Sequence, residues 1–193
     1  MAKQVTNVPA DARKAIGKAF PALARIKDAS LREGVAKTWY MAWKESSYKR
    51  LEDAPMGVGR PEDSLLKHTN AVTGSAYAVG QQLQQVYGTK LNFDYVIAGA
   101  LLHDVDKIVM YEGTGAKATH SALSEKIVHG AYGGHIALLA GLPMDIVFII
   151  MAHSPKVAVE PDSPEGQLIC HADLAVARTP KVAAGKPRAG SAH

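Results

Sequence analysis

Three apolar runs of this 193-residue chain each lead into a histidine or an aspartate. VIAGALL precedes His103 and Asp104, IVFIIMA precedes His153, and LICHA precedes Asp173. Burying an imidazole or a carboxylate costs free energy unless a complementary group meets it. A lone buried histidine is more often a core residue that hydrogen-bonds to the backbone. The repeated placement instead favours a shared metal site, because Zn, Fe, Mn and Ni all accept imidazole or carboxylate ligands.

The spacing of the apolar residues predicts helices along most of the chain. Ser30, with Glu33 three residues later, predicts the start of a helix that reaches about Glu52. Asn92 or Asp94 predicts the cap of the helix that leads to His103. Because no run shows the alternation typical of a strand, we predict an all-α fold. The other predicted helices span residues 10–27 (divided at Pro21), 61–87, 121–140, 144–153 and 165–178, and residues 111–120 are predicted to form a mobile loop.

The net charge of +4 is unevenly distributed along the chain. Residues 1–60 carry twelve basic and six acidic residues, residues 61–173 carry six and twelve, and residues 174–193 carry four and none. The acidic middle argues against a continuous basic groove, so we expect no nucleic-acid partner. The final residues, from Arg178 onward, have few apolar side chains and are predicted to be a disordered basic tail.

Several sequence features indicate the cellular compartment in which the protein is expected. Cys170 is the single cysteine, which excludes an intramolecular disulfide and a cysteine-based zinc site. The N-terminal residues lack the apolar core of a secretory signal. The longest apolar stretch, residues 136–152, is interrupted by Pro143 and Asp145 and is a poor membrane span. We therefore expect a cytoplasmic protein with no membrane partner.

The order of the polar residues is similar to a known signature. His68, His103-Asp104 and Asp173 resemble the H…HD…D pattern of the HD-domain superfamily of metal-dependent phosphohydrolases. LLKHTNAV resembles that family's first ligand helix, ALLHDVDKI its central motif, and HGAYGGHIALLAGLP its third helix. The resemblance covers about residues 60–177. It implies an HD-domain-like helical bundle at residues 60–177, with a helical extension at residues 1–59 and the tail at residues 178–193.

The resemblance also implies a set of metal ligands. His68, His103, Asp104 and Asp173 would hold one metal, and His129 and His153 would hold a second that Asp104 bridges. The implied cofactors are two divalent transition-metal ions, with Fe, Mn, Zn, Ni and Co as candidates. Two such ions can lower the pKa of a bridging water and so supply hydroxide at neutral pH.

The resemblance also implies three catalytic residues, Lys107, Asp106 and Asp104. Lys107 matches the lysine of the family motif and would bind a substrate phosphate or carboxylate, whereas a surface lysine is the alternative. Asp106 stands where the motif usually has glycine. It could pair with Lys107, donate a proton or tune the metals. For His135, six residues after His129, substrate contact and helix packing are both open.

The resemblance implies a hydrolase that cleaves a phosphate ester of a small metabolite or nucleotide with a metal-bridging hydroxide. The alternative is a mixed-valent di-iron oxygenase that cleaves a C–C or C–P bond with dioxygen, because the same ligands serve both chemistries. A third possibility is a non-enzymatic sensor that binds a nucleotide. Such a protein would lack some of the ligand residues, whereas all six are present here. The expected partner is a small anionic, phosphorylated substrate. Trp39 and Trp43, four residues apart, predict a packing stripe or the interface of a homo-oligomer.

Overall fold

The structure, a computed structural model, describes residues 5–154 and 157–185. Within these residues the predicted all-α fold is confirmed, with one short hairpin as the exception. The helices are α1 (Ala10–Ala19), α2 (Ala29–Glu45), α3 (Leu65–Tyr87), α4 (Phe93–Leu102), α5 (Lys107–Met110), α6 (Ala131–Leu139), α7 (Met144–Ala152) and α8 (Pro164–Ala183). Short 3-10 turns occupy Pro21–Arg25, Leu51–Asp53 and Gly115–Lys117.

The predicted limits of α2 are wrong at both ends. The helix is capped by Asp28, whose carboxylate accepts hydrogen bonds from the backbone N–H groups of Ser30 and Leu31. Ser30 lies inside the first turn, and its hydroxyl donates to Asp28. At its other end the helix stops at Glu45, because the chain becomes extended at Ser46, whose hydroxyl donates to the Trp43 carbonyl.

Three further segments differ from the prediction. Residues 121–130 form turns, and α6 begins only at Ala131, because Gly130 adopts a left-handed backbone with φ +90°. Strands β1 (Tyr111–Glu112) and β2 (Thr119–His120) pair antiparallel inside the predicted loop. At the C-terminus, α8 continues to Ala183 and includes the first residues of the predicted disordered tail. Ala184 and Gly185 form a turn after the helix, and residues 186–193 of that tail lie outside the described residues.

Helix α4 lies at the centre of the fold and packs against α2, α3, α7 and α8. Its residues 96–102 are all buried, as an apolar helix requires on every side. At Gly99 a Cβ would lie 2.7 Å from Ile169 Cδ1 and 3.2 Å from Ile149 Cγ2. The glycine therefore allows α7 and α8 to approach α4 closely. Three predicted ligands depend on these helices, because His103 and His153 directly follow α4 and α7, and Asp173 lies within α8.

The N-terminal helices share the same hydrophobic core. Trp39 is buried with its ring 4.3 Å from the ring of Phe20, and its Nε1 donates to the Leu101 carbonyl at 3.0 Å. Trp39 is therefore a packing residue that attaches α2 to α4. Trp43 is partly buried, and its Nε1 donates to the Tyr48 carbonyl at 2.9 Å. The homo-oligomer stays a prediction.

Side-chain caps fix the starts of three helices, α3, α4 and α8. The Ser64 hydroxyl caps α3, which begins at Leu65 and not at Pro61 as predicted. Asn92, one of the two predicted caps, caps α4, and the Ser163 hydroxyl caps α8. The α3 helix ends at Gly88, whose left-handed backbone closes it. Within residues 5–154 and 157–185, no helix combines the length and the apolar character needed to cross a membrane.

Candidate metal centre

The first group of polar side chains lies between α3, the end of α4, and α8. His68 is in the first turn of α3, and His103 is the residue at which α4 ends. The Nε2 atoms of these two histidines lie 3.3 Å apart, and each is 3.3 Å from Asp104 Oδ2. Asp173, on α8, places Oδ1 3.0 Å from His68 Nε2 and 4.0 Å from His103 Nε2.

The second group lies on the other side of Asp104. His153 is the residue at which α7 ends, and His129 lies in the turn before α6. Their Nε2 atoms are 3.2 Å apart. Asp104 Oδ1 is 2.8 Å from His129 Nε2 and 3.5 Å from His153 Nε2. The structure thus brings all six predicted ligand residues together, and Asp104 gives one oxygen to each group.

The hydrogen bonds of the rings show which nitrogen is free. His103 Nδ1 donates to the Ala100 carbonyl at 2.7 Å, and His153 Nδ1 donates to the Ile150 carbonyl at 2.8 Å. His129 Nδ1 donates to Asp106 Oδ1 at 2.8 Å. A ring that donates from Nδ1 carries a lone pair at Nε2 when it is neutral, so in the neutral state these lone pairs point towards the centre of each group.

Such an arrangement fits cations between the ligands. Two facing lone pairs repel each other unless a proton or a metal ion lies near them. The buried Oδ1 of Asp104 accepts no hydrogen bond of regular geometry, although His129 Nε2 lies 2.8 Å away. A buried carboxylate oxygen without a donor is costly. The imidazole and carboxylate donor set therefore fits two divalent transition metals.

The carboxylates of the first group are held in the charged form. Burial raises the pKa of Asp104, but the charges of Lys107 and His103 outweigh it and hold that pKa well below its usual value. Burial also raises the pKa of Asp173, but the hydrogen bond from His68 outweighs it, and the pKa of Asp173 is lowered. Both groups are therefore anionic at neutral pH, as a metal ligand must be.

The histidine pKa values differ between positions. Burial lowers the pKa of His129, but Asp104 at one ring nitrogen and Asp106 at the other outweigh it and raise the pKa to about 9. Burial likewise lowers the pKa of His68, which hydrogen bonds to Asp104 and Asp173 raise overall. For His153, burial exceeds the effect of Asp104 and lowers the pKa. The positions beside His129 and His68 therefore favour a cation strongly.

Lys107 lies at the edge of this centre, which argues against the alternative of a solvated surface lysine. Its Nζ donates to Asp104 Oδ2 at 2.7 Å and lies 3.8 Å from Met56 Sδ. The side chain is 15% exposed, so the ammonium group is near solvent as well as near the ligands. Its predicted contact with substrate stays a prediction. No sequence signal predicts that Met56 lies beside Lys107.

Asp106 lies behind His129 and not against Lys107. It is fully buried, and its Oδ2 accepts hydrogen bonds from the backbone N–H groups of Gly130 and Gly133 at 2.7 and 3.3 Å. Sequence reasoning missed these two glycines as contributors to the site. The clustered glycines of HGAYGG were the available signal, because Gly130 needs a left-handed backbone.

His135 is exposed on α6, with its ring 5.8 Å from the ring of Tyr132. Its predicted contact with substrate remains a prediction.

Comparison with known proteins supports the resemblance. The HD domain family profile matches residues 65–177. A curated dihydroneopterin 2',3'-cyclic phosphate phosphodiesterase of Methanocaldococcus jannaschii is 44% identical over 64 residues, which are 32% of this chain and 26% of the relative. The match thus spans about a quarter of that relative's length. No solved structure matches the chain significantly. Because the HD domain profile matches more than half of this chain, the chain belongs to the HD-domain superfamily of metal-dependent phosphohydrolases.

Proposed function

We propose that this protein is a hydrolase that holds two divalent metal ions and cleaves a phosphate ester of a small molecule. The observation that carries the proposal is the position of Asp104. Its Oδ2 lies 3.3 Å from the Nε2 atoms of His68 and His103, and its Oδ1 lies 2.8 Å from that of His129. A single carboxylate shared by two histidine pairs is the arrangement that a dinuclear site needs.

The chain would divide the ligands between two ions. His68, His103 and Asp173 would hold one, His129 and His153 the other, with one oxygen of Asp104 for each. When bound, two such cations supply an activated water and neutralise charge on the phosphoryl oxygens. The carbonyl groups of Ala100 and Ile150 keep the Nδ1 protons of His103 and His153, so that Nε2 stays available.

In this proposal Lys107 binds the substrate. Its ammonium group lies beside Asp104 and is partly shielded from water, so its charge acts more strongly than that of a solvated lysine. In this proposal the Nζ group donates to a non-bridging phosphoryl oxygen and steadies the negative charge that grows on it during hydrolysis. Lys107 therefore takes the substrate-binding role, and Asp104 the role of ligand.

The substrate class is proposed from the relative. That protein is a 2',3'-cyclic phosphate phosphodiesterase by name, and the alignment covers 26% of it. We therefore propose small phosphate diesters, including cyclic ones, as the first candidates, within the wider class of phosphorylated metabolites and nucleotides. Fe, Mn, Zn, Ni and Co remain the candidate metals.

The experiment is hydrolysis under strict anaerobiosis. Protein stripped with a chelator is reloaded with Mn²⁺, Co²⁺ or Fe²⁺ and incubated with bis(p-nitrophenyl) phosphate, p-nitrophenyl phosphate and a 2',3'-cyclic nucleotide. We expect metal-dependent turnover that Asp104→Asn abolishes and that Asp162→Asn, at an exposed aspartate, retains. Absence of hydrolysis with every metal would refute the proposal. In a parallel assay in air-saturated buffer, substrate-dependent oxygen uptake by the iron-loaded protein would establish the di-iron oxygenase in its place.

A further inference from the structure

Asp106 occupies a position from which it contacts three hydrogen-bond donors at once. Its Oδ1 accepts from His129 Nδ1 at 2.8 Å, and its Oδ2 accepts from the backbone N–H groups of Gly130 and Gly133. The side chain is completely buried, so water cannot replace any of these contacts. Each donor would be left unpaired in the interior if the carboxylate were lost.

Two of these donors belong to the start of α6. The residue that precedes this helix is Gly130, which has no side chain to cap it. A larger residue is strained there, because a Cβ would lie 2.8 Å from the Ile150 carbonyl oxygen and the φ angle is +90°. Asp106 therefore supplies, from the turn after α4, the cap that α6 lacks in its own sequence.

The third donor is a predicted metal ligand, and it is supported differently from its neighbours. His103 and His153 donate their Nδ1 protons to carbonyl groups of the helices that they terminate. His129 lies in a turn, its side chain is 24% exposed, and its Nδ1 proton is accepted by a side chain. The orientation of His129 thus depends on Asp106, whereas the orientations of His103 and His153 depend on the backbone.

We propose that Asp106 is a positioning residue: it holds His129 with Nδ1 protonated and Nε2 turned towards Asp104, and so determines the affinity of one metal position. That position is the one formed by Asp104, His129 and His153. The position formed by His68, His103, Asp104 and Asp173 does not depend on it. The inference rests on the proposed dinuclear centre, and it assigns to Asp106 a role that the glycine usual at this place in the family motif cannot perform.

Asp106→Asn is the informative change because it keeps the shape of the side chain. An asparagine has one acceptor oxygen and one NH₂ group, so the NH₂ group must face at least one of the three donors. Loss of a side chain that orients a ligating histidine typically weakens metal binding by about 10- to 100-fold. We expect that loss in one of the two positions.

Asn92→Ala provides a matched control. Asn92 caps α4, the helix that ends at His103, and its side chain accepts from the N–H groups of Asp94 and Tyr95. Its removal weakens the start of a ligand-bearing helix without touching a ligand. If Asp106 acted only as a cap, the two variants would behave alike: both would unfold at lower temperature and both would bind metal as the wild type does.

The experiment is an anaerobic titration of the chelator-stripped proteins with Co²⁺, followed by absorption and by metal analysis. We expect two ions per chain in the wild type and in Asn92→Ala. In Asp106→Asn we expect one ion bound with wild-type affinity and a second bound about 10- to 100-fold more weakly. Two ions with unchanged affinities in Asp106→Asn would overturn the inference about Asp106 but leave the dinuclear proposal intact. Fewer than two ions in the wild type would overturn the dinuclear proposal itself.

A measurement on the wild type covers the case in which Asp106→Asn does not fold. In Zn²⁺-loaded, ¹⁵N-labelled protein, long-range proton–nitrogen correlation reports which nitrogen of each imidazole carries a proton. The His129 signals are assigned by their loss in His129→Gln. We expect a proton on Nδ1 of His129 and metal coordination at Nε2. A proton on Nε2, with Nδ1 as the ligand, would overturn the inference.

Discussion

Replacing Asp104 should remove the stabilisation that metal ions give to the fold, and replacing one histidine should remove half of it. Asp104 contributes an oxygen to both groups, whereas His68 belongs to one group and His129 to the other. Asp104→Asn keeps the size of the buried side chain but removes the charge that both positions share. His68→Ala and His129→Ala each leave the other position with its own histidines.

The magnitude follows from mass action. An ion present at a hundred times its dissociation constant stabilises the folded state by about 2.7 kcal/mol. For a domain of about 150–250 residues, each kcal/mol raises the melting temperature by roughly 2–4 °C. Each occupied position should therefore contribute about 5–11 °C, and two positions together about 11–22 °C, at that ion concentration.

Differential scanning calorimetry of the chelator-stripped proteins, with and without added Mn²⁺, measures this shift. We expect the full shift in the wild type and in Asp162→Asn, about half of it in His68→Ala and in His129→Ala, and almost none in Asp104→Asn. Comparing each variant with itself removes the cost of the substitution to the metal-free protein. A full shift in Asp104→Asn would refute the assignment of this residue as the shared ligand. Complete loss in both histidine variants would refute two separable positions.

Three further outcomes are expected. Lys107→Met should lower kcat/KM for a phosphate diester by roughly 10- to 150-fold, because it removes one hydrogen bond to a charged group, while the metal content stays unchanged. An unchanged kcat/KM would exclude the phosphate contact. Metal affinity should rise up to about tenfold per pH unit between about pH 6 and pH 9, because protons compete with the metal ion for His129, whose pKa is raised to about 9. A pH-independent dissociation constant for the metal would contradict this. Gly130→Ala should cost about 1–3 kcal/mol in chemical denaturation, because alanine strains the left-handed backbone, whereas Gly17→Ala, on an open face of α1, should not; equal midpoints would refute that strain.

The residue pattern was sufficient to predict the helical class, and together with the family resemblance it selected the residues that lie together. Polar residues at the ends of apolar helices carry a desolvation cost that can be recognised without coordinates, as at His103 and His153. The structure brings these residues together with His68, His129 and Asp173 around Asp104. Their roles as ligands remain proposals that the metal experiments test.

Other features depend on contacts that the sequence does not specify. Asp28 and Ser30 are both good helix caps, and only the path of the backbone decides that Asp28 caps α2. The start of α6 depends on Gly130, whose neighbour is the Ile150 carbonyl twenty residues away along the chain. The partner of Asp106 is likewise distant, since His129 comes 23 residues later. Long-range contacts of this kind decide the details of the site.

The turn between α4 and α5 holds the centre together, and its rigidity comes from apolar packing. The backbone N–H groups of Val105 and Lys107 donate to the carbonyls of Leu102 and Asp104, each at 3.0 Å, so the turn has little freedom. Val105 is fully buried, and a Cβ at Gly133 would lie 3.2 Å from its Cγ1. The burial of apolar residues such as Val105 therefore sets the distance between the two groups, and the metal ions would bind to a site that the core has already formed.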